Sequence, residues 1–397
     1  MRHLVLLLWV CCSSSAFLSA STHSRPPSTH KKSYSSHVVA VNPHRRVTNR
    51  KRLHRLVKPQ RAWTFIVSGD SRNCGDIIMP VIARRAKAAH ARFYWHLGDL
   101  RALYKIDEDY AGLHRGSPNV KDLKAYQKAA WDDFSQQQVA PFGRIPFFLG
   151  IGNHEIIGNT RQDFVTHFAK LLDIEPIRRQ RLADDPNDNT VRSYYHFYEQ
   201  GVDFLYLDNA DSTFDQDQLA WALNRIAAAQ SNKQVKILMV GMHESLPDSY
   251  TADHSMNQGG DKGESGRILY NRLLEFHQET GKPVHIFSSH SHYYLSNIYN
   301  TAALQSLGPV LPGWLVGTAG AQHYSVPPEV KSFTTWAENE YGYATVRVDP
   351  GAGSVSVKFV PIKRRDLDRN VNWKFGRSTV DFCFSENWSA SLHADPY

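Results

Sequence analysis

The sequence predicts an α/β protein with helices outside its sheets. Two observations support this. From Trp63 onward, short apolar runs rich in β-branched and aromatic residues alternate with longer stretches of helical period. Two hairpin signals interrupt the alternation, and because a hairpin pairs its strands antiparallel, they favour a mixed sheet or a sandwich over an all-parallel sheet.

The strands, in order, are WTFIVS (63–68), FYWHL (93–97), IPFFLG (145–150), KILMVG (236–241) and VHIFSS (284–289), each read as buried. Between them lie the helical stretches DIIMPVIARRAKAAHA (76–91), DLKAYQKAAWDDF (122–134), QDQLAWALNRIAAAQ (216–230) and RILYNRLLEFHQET (267–280). One hairpin, 194–208, turns at Gln200 and Gly201, and the other, 342–362, turns within Pro350 to Gly353. Alternation of this kind builds layers of helix on sheet.

At 397 residues, 42% hydrophobic and 21% charged, the chain can bury a sizeable core, as one large domain or two modest ones. Residues 1–20 have a basic start, a short apolar run from Leu4 to Cys12 and small residues toward Ala16 and Ala20, the pattern of a secretory signal peptide. The expected destination is secreted or periplasmic. The formal charge of +8 is uneven: residues 1–61 hold 12 Lys/Arg and no Asp or Glu, leaving 34 basic against 38 acidic residues, a net of −4, in 62–397. The basicity belongs to the tail, so no specific nucleic-acid partner is expected. Residues 21–61 read as a basic disordered linker, either merely solvated or in weak contact with an anionic surface. The domain is expected over 62–363, with a C-terminal extension over 364–397. Removal of the leader would leave Cys74 and Cys383 as the only cysteines, which either pair or remain separate thiols.

Polar residues follow each of the five strands. Asp70 lies in SGDSR, Asp99 in LGDL, Asn153 and His154 in GNHE, His243 in GMHE, and His290 and His292 in SSHSH. Open α/β sheets form clefts at the C-terminal ends of their strands, where residues remote in sequence converge. A Gly-Asp pair alone is commonly a turn, and a lone His commonly packs. Five such blocks, in order and each after a strand, exceed coincidence. Carboxylate, amide and imidazole donors together suit Mn, Fe, Zn or Co better than Ca or Mg.

The series Asp70, Gly98-Asp99, Gly152 to Glu155, His243 and His290-x-His292 resembles the calcineurin-like metallophosphoesterase superfamily, in its purple acid phosphatase-like branch. GTAGA (317–321) and YGYATVRV (341–348) resemble its last strands. The resemblance covers roughly 63–362 and implies a four-layer α/β/β/α metallophosphoesterase sandwich with mixed sheets and two metal ions. Asp99 would bridge the ions, Asn153, His243 and His290 would hold one, and Asp70 and His292 the other. It further implies a small-molecule phosphoester substrate, in-line attack by a hydroxide bridging the ions, and His154 protonating the leaving group. The expected activity is that of an exported phosphatase. Alternatives are a phosphodiesterase of nucleotide or lipid head-group esters and a non-catalytic envelope binding protein with a decayed site.

The chain also departs from the family pattern. Arg72 stands where the superfamily has His, and Ala102 where purple acid phosphatases have Tyr; Tyr104 and Asn73 are candidate substitutes. Ser289 replaces a Gly. Arg72 is expected either to fork onto phosphate oxygens or to hold its loop by a salt bridge. The polar, Gly-rich stretch 244–267 is a candidate lid. His323, Tyr293 and Tyr294 are candidate pocket residues, with core packing the better account of the tyrosines.

Overall fold

Among the described residues, twelve strands form two mixed sheets. The computed structural model of the protein describes residues 61–388 apart from 119, 252 and 253, so the leader and nearly all of the basic linker lie outside the described residues. In chain order the strands are β1 (Trp63–Ser68), β2 (Tyr94–His96), β3 (Phe147–Leu149), β4 (Tyr195–Glu199), β5 (Val202–Tyr206), β6 (Ile237–Gly241), β7 (Val284–Ser288), β8 (Tyr294–Ser296), β9 (Gly313–Val316), β10 (Trp336–Ala337), β11 (Tyr341–Asp349) and β12 (Ser354–Ile362). The first sheet runs β12-β11-β1-β2-β3 and the second β10-β8-β9-β7-β6-β5-β4.

Both hairpins appear as read, β4 with β5 and β11 with β12, and they make one edge of each sheet antiparallel. The parallel cores are β1-β2-β3 and β5-β6-β7-β9. Strand β9 inserts beside β7, a position that the four-residue run GWLV does not announce.

Side-chain alternation builds the layers. Phe65, Trp95 and Phe148 project from the first sheet onto Phe204, Phe287 and Phe197 of the second, with ring centres 5.3 Å apart for Phe65 and Phe204 and 3.8 Å for Phe148 and Phe197. Such pairs contribute roughly 0.5–1.5 kcal/mol each beyond the area they bury. Gly241 lets the sheets close, since a Cβ there would lie 2.4 Å from the Trp95 ring. On the opposite face of the first sheet, Tyr94 meets Met79 of helix Gly75–Ala88, and Phe147 meets Phe134 of helix Leu123–Phe134. On the far face of the second, Leu205, Leu238, Val240 and Ile286 pack with Ile226, Leu269 and Leu273 of helices Gln216–Ser231 and Glu264–Thr280. The result is a four-layer α/β/β/α sandwich. Among the described residues no helix is long and apolar enough to cross a membrane.

Cys74 and Cys383 form a disulfide across a sequence separation of 309. It ties the loop after β1 to helix Arg377–Ser385, whose Val380 joins the core with Phe375 from the short helix Val371–Phe375 before it. The described part of the C-terminal extension is therefore bound to the sandwich. Asn387 donates to the Gly320 carbonyl and to the Tyr341 hydroxyl.

Candidate metal centre

Six strand ends open on one side of the sandwich. β1, β2 and β3 deliver Asp70, Asp99 and Asn153; β6 and β7 deliver His243, His290 and His292; β9 delivers the loop that begins at Gly317. The backbone there is held in unusual conformations, with Asp70 and Asp99 both at φ 59° and His290 at φ 72°. Left-handed φ in non-glycine residues costs free energy and clusters at functional sites. Gly152 permits the closest approach, since a Cβ would lie 2.3 Å from Asp99 Oδ1 and 2.8 Å from the His243 ring. Glu155 braces the two loops, accepting from the backbone N–H of Asp99 (2.9 Å), Leu100 (2.9 Å) and Gly152 (2.7 Å).

Two groups of donor atoms emerge, Asp99 with His243 and His290, and Asp70 with Asp99 and His292, each within 4.8 Å. In the first, His243 Nε2 lies 3.0 Å from Asn153 Oδ1, 3.1 Å from His290 Nδ1 and 3.3 Å from Asp99 Oδ1. In the second, His292 Nε2 lies 3.4 Å from Asp70 Oδ1. The rings are oriented from behind. His243 Nδ1 donates to the Leu97 carbonyl at 3.0 Å, and His292 Nδ1 to the Gln322 carbonyl at 2.6 Å, which leaves each Nε2 lone pair facing inward. This is the arrangement of metal-ligating imidazoles, whose outer nitrogen is fixed by a carbonyl or carboxylate.

Electrostatics agree with the donor chemistry. Burial pushes the Asp99 carboxyl up, but His154, His243 and Arg72 outweigh it and hold the group well below the usual carboxylate range. Burial opposes a charged His243, yet Asp99 and Asp70 drive it up to about 10. Burial, His243 and His254 in turn push His290 well below the ordinary imidazole value. The carboxylates thus call for positive charge among the rings. Asp70 Oδ1 and Asp99 Oδ2 are buried and, among the described residues, have no hydrogen-bond donor. Inward lone pairs and undonated carboxylate oxygens fit a metal ion, which Asn153, His243, His290 and Asp99 would hold in the first group.

Asp70, Arg72, Asp99, Asn153, His154, His243, His290 and His292, the eight residues expected to bind metal or act on substrate, come together here. His154 donates Nδ1–H to the Ala102 carbonyl (2.7 Å) and places Nε2 3.6 Å from Asp99 Oδ2. Arg72 is 1% exposed and enters the second group, with Nη2 3.2 Å from His292 Nε2, Nε 3.8 Å from Asp99 Oδ2 and Nη1 3.5 Å from the Tyr104 hydroxyl. Asn73 turns away to Asp107 and Glu108. Ser289 holds His243 Nδ1 and the Leu97 carbonyl through its hydroxyl. His323 does not reach the donors; it packs on Tyr341. Tyr294 stacks on Phe359 in the core.

Sequence reading missed three contributors. Glu155 was visible as the last letter of GNHE, but its role depends on a loop 55 residues away. His254 comes from the stretch read as a lid and sets Nδ1 3.3 Å from His290 Nε2. In its described part, Tyr250 N–H donates to the Ile298 carbonyl outside the stretch, and Asp248 pairs with Arg267 within it. Tyr324 stacks on His292 at 4.1 Å.

No protein-family model and no curated protein matches the chain. Among solved structures it is similar to the purple acid phosphatase PPD1 from yellow lupin (Lupinus luteus) seeds, at 14% identity and a TM-score of 0.49, over 77% of this chain and only 55% of that one. It is also similar to PhoD, at 13% identity and a TM-score of 0.48, over 81% of this chain and 77% of that one. A third is GAP50, the anchor in the inner membrane complex of Plasmodium, at 13% identity and a TM-score of 0.41, over 85% of this chain and 99% of that one.

Proposed function

We propose that the chain is an exported, metal-dependent phosphoester hydrolase, a phosphatase of small-molecule monoesters. The observation behind this reading is the convergence of Asn153 Oδ1, Asp99 Oδ1, His243 Nε2 and His290 Nδ1 on one point at the strand ends. A Mn, Fe, Zn or Co ion held there would supply Lewis acidity, lowering the pKa of water and neutralising phosphoryl oxygens. The chain's own residues do the rest. His154, when protonated, presents Nε2–H toward the centre while its other nitrogen is fixed on Ala102, so it can hand a proton to a departing alkoxide without rotating. Arg72 offers N–H groups to phosphate oxygens. The closely packed sheets beneath give the donors a rigid floor. Export is supported by the leader pattern and by the disulfide, which persists in oxidising compartments.

Hydrolysis of an aryl phosphate monoester, run beside a diester and supplied with Mn, tests the reading. Turnover should depend on the ion and fall at least about a hundredfold in His243→Ala and Asn153→Ala, through loss of ion affinity. Unchanged turnover in both variants, with folding intact by circular dichroism, would overturn it; faster diester than monoester cleavage would assign the other ester class.

A further inference from the structure

We infer that the centre takes one metal ion, and that the Arg72 guanidinium stands as a fixed cation where a second ion would otherwise sit, meeting the phosphoryl oxygens from that side. The inference rests on the hydrolase reading above and says how the site handles charge.

The second donor group has three protein donors, Asp70, Asp99 and His292. His292 commits its Nδ1–H to the Gln322 carbonyl, so its one lone pair is on Nε2. Arg72 Nη2 lies 3.2 Å from that atom. A guanidinium only donates, so Nε2 is the acceptor, and a lone pair engaged in a hydrogen bond cannot also ligate a cation. Arg72 Nε lies 3.8 Å from Asp99 Oδ2, the oxygen that would be shared between two ions. The same guanidinium thus engages one of the three donors by a hydrogen bond and lies within ion-pair distance of a second. Asp70 Oδ1 and Asp99 Oδ2 still ask for positive charge, and Arg72 supplies it permanently, at any accessible pH.

Nor can Arg72 readily leave. Its side chain is enclosed, and its backbone is pinned. Cys74 N–H donates to the Arg72 carbonyl at 2.8 Å and to the Gly320 carbonyl at 3.2 Å, and a Cβ on Gly320 would lie 2.9 Å from the Arg72 carbonyl oxygen. Two residues on, the disulfide fastens the loop to the C-terminal helix. A divalent ion placed in the second group would sit against this charge in a buried site, where Coulomb repulsion is weakly screened. Among the described residues no arginine or lysine is paired with the donors of the first group other than the shared Asp99, and His243 turns two inward contacts to Asn153 and His290.

The test is stoichiometry, which does not depend on turnover. Full-length protein stripped with chelator, reloaded with Mn and desalted should carry one Mn per chain by elemental analysis and give the paramagnetic resonance signal of an isolated ion. Arg72→His should raise the count to two and give an exchange-coupled pair. Arg72→Met, which supplies no ligand, should keep the isolated-ion signal while weakening inhibition by inorganic phosphate about ten- to a hundredfold, the scale of one lost charge-assisted hydrogen bond. Two coupled ions in the wild type, with hydrolysis intact, overturn the inference and leave the hydrolase reading standing. No ion and no hydrolysis overturn both. Unchanged phosphate inhibition in folded Arg72→Met removes Arg72 from the phosphate site and overturns the inference as well.

Discussion

Asp99 and Arg101 lie two residues apart on one loop, and the chain buries both charges completely. Asp99 looks up into the centre, toward imidazole lone pairs, with one oxygen undonated. Arg101 looks down among Asp76 (2.7 Å), Asp109 (3.3 Å), Asp107 (3.6 Å) and Asp133. Around Arg101 the carboxylates are further hydrogen-bonded by the chain. Asp107 accepts from Asn73 N–H and the Tyr126 hydroxyl, and Asp109 from the N–H groups of Asp76 and Tyr110. Burial pushes Asp76 up to about 7 and Asp109 well above its ordinary value, so part of the excess negative charge is removed by protons. The lower cluster pairs one cation with four carboxylates and serves the fold, with Asp76 Oδ2 and Arg101 Nε the atoms left without a hydrogen-bond partner among the described residues. The upper one keeps its donor atoms close together at the strand ends, where the proposed ion would be held.

If that division holds, the two clusters should fail differently. Arg101→Met should cost about 3–5 kcal/mol or more of stability, because it leaves buried carboxylates without their cation. Urea unfolding would measure this, and a loss under about 1 kcal/mol would erase the contrast. His243→Ala, which removes a donor from the upper cluster, should move the urea midpoint less than Arg101→Met does, since Arg72 still faces Asp99.

The disulfide joins the two regions, since Cys74 follows the Asp70 loop and precedes Asp76. Cys383→Ser should destabilise the fold by about 2–4 kcal/mol. It should also weaken inhibition by inorganic phosphate, because the loop carrying Arg72 loses its anchor. Unchanged phosphate inhibition in the unlinked protein would show that the loop is held by its hydrogen bonds alone.

A third buried charge, His196, belongs with the lower cluster's kind. It bonds Asp203 at 3.0 Å and Asp184 on its other nitrogen, and although burial opposes the imidazolium, these carboxylates raise it to about 9. A raised imidazole pKa stabilises the fold below about 6.5 and loses that contribution as pH climbs through 9. The loss is on the order of 3 kcal/mol at most. Asp76, raised to about 7, acts in the same direction between roughly 4 and 7. Urea melts at pH 6 and pH 9.5 should therefore show lower stability at the higher pH, and His196→Gln should shrink that difference, leaving the share of His243 and Glu155. A pH-independent midpoint would refute the assignment.

The smallest effect is expected at Glu155, which organises the upper cluster without touching its guest. Burial and Asp99 push its carboxyl up to about 8, against three backbone N–H donors that favour the anion. Glu155→Gln puts a donor where an acceptor is needed and should lower Mn affinity about tenfold, as loss of an orienting contact does, with little change in stability. Titration calorimetry decides it.

Much of this was readable in the chain before folding was considered. Five strands were visible because buried strands concentrate β-branched and aromatic residues, and both hairpins because Gly201 and Pro350 to Gly353 mark their turns. The donors were visible because each directly follows a strand, so that local sequence order fixes which sheet end they occupy. Tertiary structure alone decided the rest. Strands β9 and β10, four and two residues long, carry too little pattern to be seen and exist because neighbours complete their hydrogen bonds. Cys74 and Cys383 pair because helix Arg377–Ser385 returns to the β1 loop, a closure that spacing cannot reveal. Glu155, His254 and Arg72 take their roles from partners 55, 36 and 220 residues distant. A side chain's identity says what it can donate or accept; which atom answers it is settled when remote segments approach within hydrogen-bond reach, and for Arg72 that approach turns a surface-type residue into a buried cation at the centre.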